Sequence, residues 1–238
     1  MEKIKRKNIK IRKRNNLIFI LLLFLTGVTI LLFPKITNNM YNKKVKKLED
    51  NFEKIVYEQD SKTFDALYDL LNKENIDLFN SRQKEFLHQE IKSDESLIDL
   101  NKYGLDDGII GFINIPSIDV NLPIYLGASE ENMKKGAVHL TGTSYPIGGI
   151  NTNSVIAAHR GYYKSLMFRH INKIKIGDIL YIKNFNGILK YTATKIDVID
   201  PGELDKVAIQ EGKDMVTIMS CHPFLLDYQR YVVYFERA

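Results

Sequence analysis

The chain of 238 residues holds one cysteine, Cys221, at the end of an apolar, β-branched run, Met215-Val216-Thr217-Ile218-Met219-Ser220. Nine residues later Arg230 opens a second run, Tyr231-Val232-Val233-Tyr234-Phe235. His159 closes a third, Ser154-Val155-Ile156-Ala157-Ala158, 62 residues before the thiol. A thiolate is a nucleophile, an imidazole carries protons near neutral pH, and a guanidinium clamps an oxyanion or a substrate. These groups suit acyl transfer through a thioester, if the three runs are strands that aim their tips into one cleft. His222, directly after the thiol, is a rival proton carrier. Successive side chains on a strand face opposite ways, so it is poorly placed to reach the sulfur. A zinc site built from His139, His159, Cys221 and His222 lacks any ligand-pair spacing. Neither a metal nor a cofactor is expected.

Strand ends can meet only if the second half of the chain forms a sheet, and its texture supports that. From Gly104 onward, short β-branched or aromatic runs alternate with Gly, Pro, Asn and Asp. The expected strands are 109–115, 120–126, 137–140, 154–159, 179–183, 189–198, 215–221 and 231–235, with one short helix over Leu166–Lys173. Eight strands in about 130 residues suit a closed barrel or a sandwich, large enough for its own core. Upstream, residues 40 to 90 carry neither Gly nor Pro. Apolar positions recur at Val45, Leu48, Phe52, Ile55 and Val56, then at Phe64, Leu67, Leu70 and Leu71. Steps of three and four predict two amphipathic helices, with Ser61 as the N-cap between them. They serve either as a solvated spacer or as helices packed on the domain.

The N-terminus reads as a membrane anchor. Eight Lys or Arg crowd the first fourteen residues against one acid, Glu2, and Leu17 to Phe33 then run without a charge until Pro34 and Lys35. At about 1.5 Å per residue that run spans roughly 25 Å, just short of a ~30 Å hydrocarbon core, and Arg14 and Lys35 can snorkel. A cleaved signal peptide is the rival, but the apolar stretch exceeds the usual 7–15 residues and no Ala-x-Ala site follows. The basic flank places the tail in the cytoplasm and the rest outside the cell. The expected division is a tail over 1–16, a transmembrane helix over 17–34, a helical extension over 35–103 and a catalytic domain over 104–238. Of the net charge of +5, residues 1–14 supply 8 − 1 = +7, which leaves −2 for the remainder. The pI of 9.0 therefore belongs to the anchor, and no nucleic-acid partner is expected. A single cysteine in an exported domain is a reactive thiol, an intermolecular bridge or an inert core residue.

Residues 104–238 resemble the catalytic domain of sortases, the membrane-anchored cysteine transpeptidases of Gram-positive bacteria. Four segments carry the resemblance in order. They are Gly111-Phe112-Ile113-Asn114-Ile115-Pro116; Leu122-Pro123-Ile124-Tyr125 with Gly127; Lys135 to Gly149, including His139-Leu140-Thr141-Gly142-Thr143-Ser144-Tyr145-Pro146; and Ala158-His159-Arg160-Gly161 followed by Thr217-Ile218-Met219-Ser220-Cys221 and Arg230. The family's cysteine segment is Thr-Leu-x-Thr-Cys, so Ile218 and Ser220 depart from it conservatively. The resemblance implies an eight-stranded β-barrel with His159, Cys221 and Arg230 as catalytic residues. His139 and His170 fall outside the family's catalytic positions and are read as structural. Sorting-signal-bearing surface proteins or pilins are the implied donors, carrying a Leu-Pro-x-Thr-Gly-like motif. A pilin lysine or a lipid-linked cell-wall precursor is the implied amine acceptor.

The second and third segments look most like the pilus-assembling class C enzymes. Those commonly carry an Asp-Pro-aromatic lid, whereas Gln89 to Asp107 contains no proline. Phe86, Leu87, Ile91 and Leu97 remain candidates to drape over the cleft. The segment His222 to Gln229 is expected to be a loop walling the substrate groove. Ser220, Phe224, Leu225 and Tyr228 are the expected substrate contacts. Two rivals remain: a cysteine endopeptidase that only hydrolyses, and an anchored scaffold with an inert thiol. No papain-like Cys-Gly-x-Cys-Trp segment is present, and the histidine precedes the cysteine.

Overall fold

β-branching and period-two alternation turn the second half of the chain into a sheet that closes on itself. The computed structural model describes residues 2–81, 98–105, 108–162 and 165–238. The strands are β1 (Ile109–Ile115), β2 (Val120–Leu126), β3 (Ala137–His139), β4 (Thr152–Ala157), β5 (Ile179–Asn184), β6 (Gly187–Ile199), β7 (Asp214–His222) and β8 (Gln229–Arg237). They form a closed barrel in the order β1-β2-β3-β4-β7-β8-β6-β5, with β5 returning to β1. Most neighbours are antiparallel, but β2 with β3 and β4 with β7 are parallel. Closure removes the unpaired edges that an open sheet would expose. Phe112, Ile113, Ile124, Leu180, Val233 and Phe235 are among the buried core residues. Gly111 marks where β1 shifts register, and a Cβ there would lie 2.3 Å from the Lys183 carbonyl oxygen of β5. Only glycine lets the strands meet at that point.

The eight strands expected from the sequence are present, and the differences lie at their ends and between them. β4 stops at Ala157, so His159 stands two residues beyond the strand. Leu166–Lys173 does not form an α-helix. Met167 has a left-handed φ of 40°, which interrupts helical geometry, and only Ile171–Lys173 winds into a 3-10 turn. The first expected amphipathic helix forms the C-terminal part of α1 (Glu2–Glu58), continuous with the apolar run before it, and the second is α2 (Ser61–Asn80). The N-cap of α2 is Asp60 rather than Ser61, and its carboxylate accepts from the Lys62 amide at 3.4 Å. Both residue types cap well, so sequence alone leaves the choice open by one position. A short helix, α3 (Glu130–Lys135), was not anticipated. Ser129 caps it by accepting from the Asn132 amide, with two glutamates in its first turn and two lysines in its last. Phe86, Leu87, Ile91 and Leu97 lie outside the described residues.

The chain divides into an N-terminal unit that reaches Tyr41 and a second unit, from Asn42, that contains the barrel. In the first unit α1 carries an 18-residue window of mean hydropathy 2.7 that is long and apolar enough to cross a membrane. Pro34 removes a donor without ending the helix, and the Thr37 hydroxyl bonds the Phe33 carbonyl at 3.0 Å. In the second unit the last turns of α1 lie against the barrel. Phe52 meets Phe112 edge to face at 5.5 Å between ring centres. The buried Glu49 carboxylate accepts from Lys183 Nζ at 2.6 Å and from Asn121 Nδ2 at 2.8 Å. Helix α2 buries Phe64, Leu67 and Leu71, with Phe64 stacked on Phe185. Asn75 then pairs with the Tyr145 backbone in both directions, at 2.7 and 3.3 Å. Residues 42–80 are thus built into the wall of the domain. Phe52→Ala should lower stability by about 3–5 kcal/mol in chemical denaturation of the detergent-solubilised chain. Tyr57→Ala, at a side chain 90% exposed, should change it by less than about 0.5 kcal/mol.

Candidate active site

The parallel β4–β7 pair sets the site's geometry, because parallel neighbours finish on the same edge of a barrel. The register pairs Ala157 with Met219, and continuing it by two residues brings His159 level with Cys221. That continuation is hydrogen-bonded: the Ala158 amide donates to the Met219 carbonyl at 3.3 Å, and the Ser220 hydroxyl donates to the Ala158 carbonyl at 2.7 Å. Further down the same pair, the Thr217 hydroxyl bonds Asn153 Oδ1 at 2.8 Å, while Asn153 Nδ2 donates to the Val207 carbonyl at 2.8 Å. The three side chains, Ser220, Thr217 and Asn153, are all buried, so the polar clasps resist slippage of the pair. Strand β8 runs the opposite way and therefore begins on the edge where β7 ends. Its Arg230 lies directly across from Cys221. Cross-strand partners in an antiparallel pair share a face, with Cβ atoms about 4.5–5.5 Å apart.

His159 and Arg230 are each held from behind. The His159 carbonyl accepts from the Phe168 amide at 3.1 Å, and its ring stacks on Tyr162 with centres 5.4 Å apart and planes within 11°. Burial lowers the His159 pKa below the ordinary imidazole value, and the positive charge of Lys134 on α3 lowers it further. The imidazole is accordingly neutral in the free protein at pH 7. Arg230 Nη1 donates to the carbonyls of Asp227 and Gln229, at 2.9 and 3.0 Å. Those bonds fold the guanidinium back over its own loop while it stays permanently charged. Cys221 is a free, half-buried thiol.

A groove of about 280 Å³ leads to this edge. Leu140, Ala157, Ile199, Leu204 and Met219 make it apolar, and Arg230 and Asp200 supply opposite charges in its lining. Met219 shares its strand face with Cys221, two residues on. The groove is thus largely apolar and reaches Arg230 at the edge where Cys221 and His159 stand.

The other residues expected at the site fall elsewhere. Ser220 is 3% exposed and its hydroxyl is committed to Ala158, so it ties strands together behind the cleft. Phe224 lies beneath the Arg169 guanidinium at 4.2 Å. Leu225 and Tyr228 project into solvent, 84% and 67% exposed, from the loop between β7 and β8. These three border the site's edge without lining the groove. His222 faces away from Cys221, and its Nδ1 accepts from Arg160 Nη1 at 2.8 Å. His139 is buried with Nε2 against the Thr143 and Ser144 carbonyls, and its ring stacks on Tyr145. It braces the turn that follows β3. Sequence reasoning gave Arg160 and Tyr162 no role, although both follow His159 closely.

Residues 113–238, more than half of the chain, match the Sortase domain family, and the chain belongs to the sortase family. Among solved structures it is similar to Sortase C1 of GBS Pilus Island 1, with a TM-score of 0.73 and 28% identity over 81% of this chain and 98% of that one. It is also similar to Clostridium perfringens sortase C with the C-terminal cell wall sorting motif, with a TM-score of 0.69 and 36% identity over 82% and 98%. Among curated proteins, Sortase A of Listeria monocytogenes is 31% identical over 116 residues, covering 48% of this chain and 50% of that relative. The chain thus matches about half the length of that curated protein.

Burial holds the His139 pKa at about 4, below its ordinary 6.5. A depressed folded-state value means that the neutral ring's contribution is complete above about 6.5 and is lost as pH falls through about 4. The pH dependence from this residue is on the order of 3 kcal/mol. His139→Gln should therefore flatten the fall in melting temperature between pH 7 and pH 4. An unchanged slope would remove His139 as its source.

Proposed function

We propose that this sortase is a cysteine transpeptidase that cleaves a Leu-Pro-x-Thr-Gly-like sorting signal and joins the acyl part to an amine. The observation that carries the reading is the register that sets Cys221 across from Arg230 and level with His159, at the end of an apolar groove. His159 takes the proton of the Cys221 thiol, the resulting thiolate attacks the scissile carbonyl carbon, and the charge that develops on the oxygen is met by the Arg230 guanidinium. Imidazolium at His159 delivers its proton to the departing amine as the carbon–nitrogen bond breaks, which leaves a thioester and a neutral ring. The acceptor amine then attacks the thioester, His159 takes its proton, and the thiolate leaves as the new amide forms. The low His159 pKa favours the neutral form that this second half requires.

The donors in this reading are sorting-signal-bearing surface proteins or pilins. Likeness to a sortase C of a pilus island and to a sortase C with a sorting motif supports a pilin lysine as acceptor, with a cell-wall precursor amine as the alternative. The loop carrying Phe224, Leu225 and Tyr228 borders the mouth of the groove and contributes to choosing residues before the scissile bond. In α1 the basic residues 1–16 stay in the cytoplasm, 17–34 span the membrane, and the extension from 35 and the catalytic domain over 104–238 lie outside.

A quenched sorting-signal peptide is the direct test, and turnover that survives Cys221→Ala would end the reading. Added amine should divert product from acid to amide, whereas a pure endopeptidase would yield acid alone. Arg230→Lys keeps the charge but loses the fork, and should reduce kcat/KM about a hundredfold. A loss under threefold would place the oxyanion contact elsewhere.

A further inference from the structure

Residues Arg160, His222 and Tyr231 each stand one position after a residue of the proposed catalytic set. Alternation along β7 and β8 turns His222 and Tyr231 to the face opposite Cys221 and Arg230. One guanidinium joins all three strand tips there. Arg160 Nη1 donates to the Cys221 carbonyl at 3.2 Å and to His222 Nδ1 at 2.8 Å, and its carbon Cζ lies 5.6 Å from the centre of the Tyr231 ring. The His222 ring is itself 5.8 Å from that of Tyr231. A side chain covalently next to His159 is thus bonded to the backbone of the thiol's own residue and rests on the residue after Arg230.

We infer that Arg160 is a positioning residue for the reaction, a buttress that fixes His159 relative to Cys221 by tying the tips of β4, β7 and β8 on the face behind the cleft. The inference rests on the transpeptidase reading for which residues react, but the contacts themselves do not. Main-chain pairing alone does not hold His159, since it lies two residues past the last residue of β4. The Ser220 hydroxyl secures Ala158, and Arg160 secures the other side of the histidine. A histidine fixed on both flanks cannot swing away from the thiol. Stability alone does not explain the arginine: its Nε–H is buried with no partner among the described residues, and an unmet donor is costly. Nη1 bonds both acceptors while the planar guanidinium lies over the Tyr231 ring, and lysine has no plane to do the second.

The full chain in detergent, as Arg160→Met and Arg160→Lys, separates this role from others. The first readout is alkylation of Cys221 by iodoacetamide at pH 7, which needs no peptide turnover. It should slow about fivefold in both variants, the loss of roughly one net hydrogen bond's ~1 kcal/mol. In a His159→Ala background the same substitutions should make no further difference. With the sorting-signal peptide, kcat should fall about tenfold to a hundredfold while KM stays within about twofold, as expected when alignment rather than binding is lost. The melting temperature of Arg160→Met should stay near that of the parent chain. Full rescue by lysine would mean that charge alone matters, and would overturn the inference. Unchanged alkylation in both variants would also overturn it, as would loss of the folded state in both. If the parent chain fails to turn over the peptide, the transpeptidase reading falls, and alkylation still decides the role of Arg160.

Discussion

The parallel pairing of β4 with β7 is the interaction on which the site depends. It is one of two parallel contacts in a barrel otherwise made of antiparallel neighbours. Two strands that advance together end together, and a third that turns back from one of them starts where they end. His159, Cys221 and Arg230 come from segments as much as 71 residues apart, yet this arrangement gathers them on one edge without a dedicated loop. A slip of one residue in the pair would turn every β7 side chain to the other face, taking the thiol away from the face it shares with Arg230. Buried polar bonds from Asn153, Thr217 and Ser220 act against that slip, since each would be left unmet in a shifted register.

Residues 42–80 belong to the same compact unit as the barrel. Strand β1 is buried on nearly every position, which requires cover on both faces, and the second part of α1 supplies cover there through Phe52 on Phe112. The Glu49–Lys183 pair is mostly withdrawn from water, so removing one partner would strand a charge. Asn75 reaches from α2 to the Tyr145 backbone, and Tyr145 stacks on His139, the last residue of β3. Leu140 follows immediately and lines the groove. A continuous path of packed groups therefore runs from the extension to the cleft.

Charge is arranged with similar economy. Burial, and after it the positive charge of Lys134 on α3, lowers the His159 pKa, and Arg230 is turned onto backbone carbonyls rather than a carboxylate. Neutral carbonyls hold the guanidinium in place without cancelling its charge. The groove leading to it is apolar apart from Asp200, Thr141 and Arg230, so little water competes for that charge.

The sequence by itself determined the strands, the two amphipathic helices and the chemical identity of the site. Those depend on local periodicity and on residue types with few substitutes, a lone thiol, a histidine and an arginine at run ends. It also carried the membrane-length helix, since an uninterrupted apolar stretch reads the same in any context. Tertiary structure decided what adjacency in sequence cannot encode. Ser220, expected as a substrate contact, gives its hydroxyl to the Ala158 carbonyl in the folded sheet. Arg160 and Tyr162 looked incidental until the folded edge set one on the β7 tip and the other on the histidine ring. Leu166–Lys173 has helical composition, yet the chain must turn back there to bring Phe168 onto the His159 carbonyl, and the turn prevails. Local preference is worth a few tenths of a kcal/mol per residue, and long-range pairing and burial outweigh it wherever the two disagree.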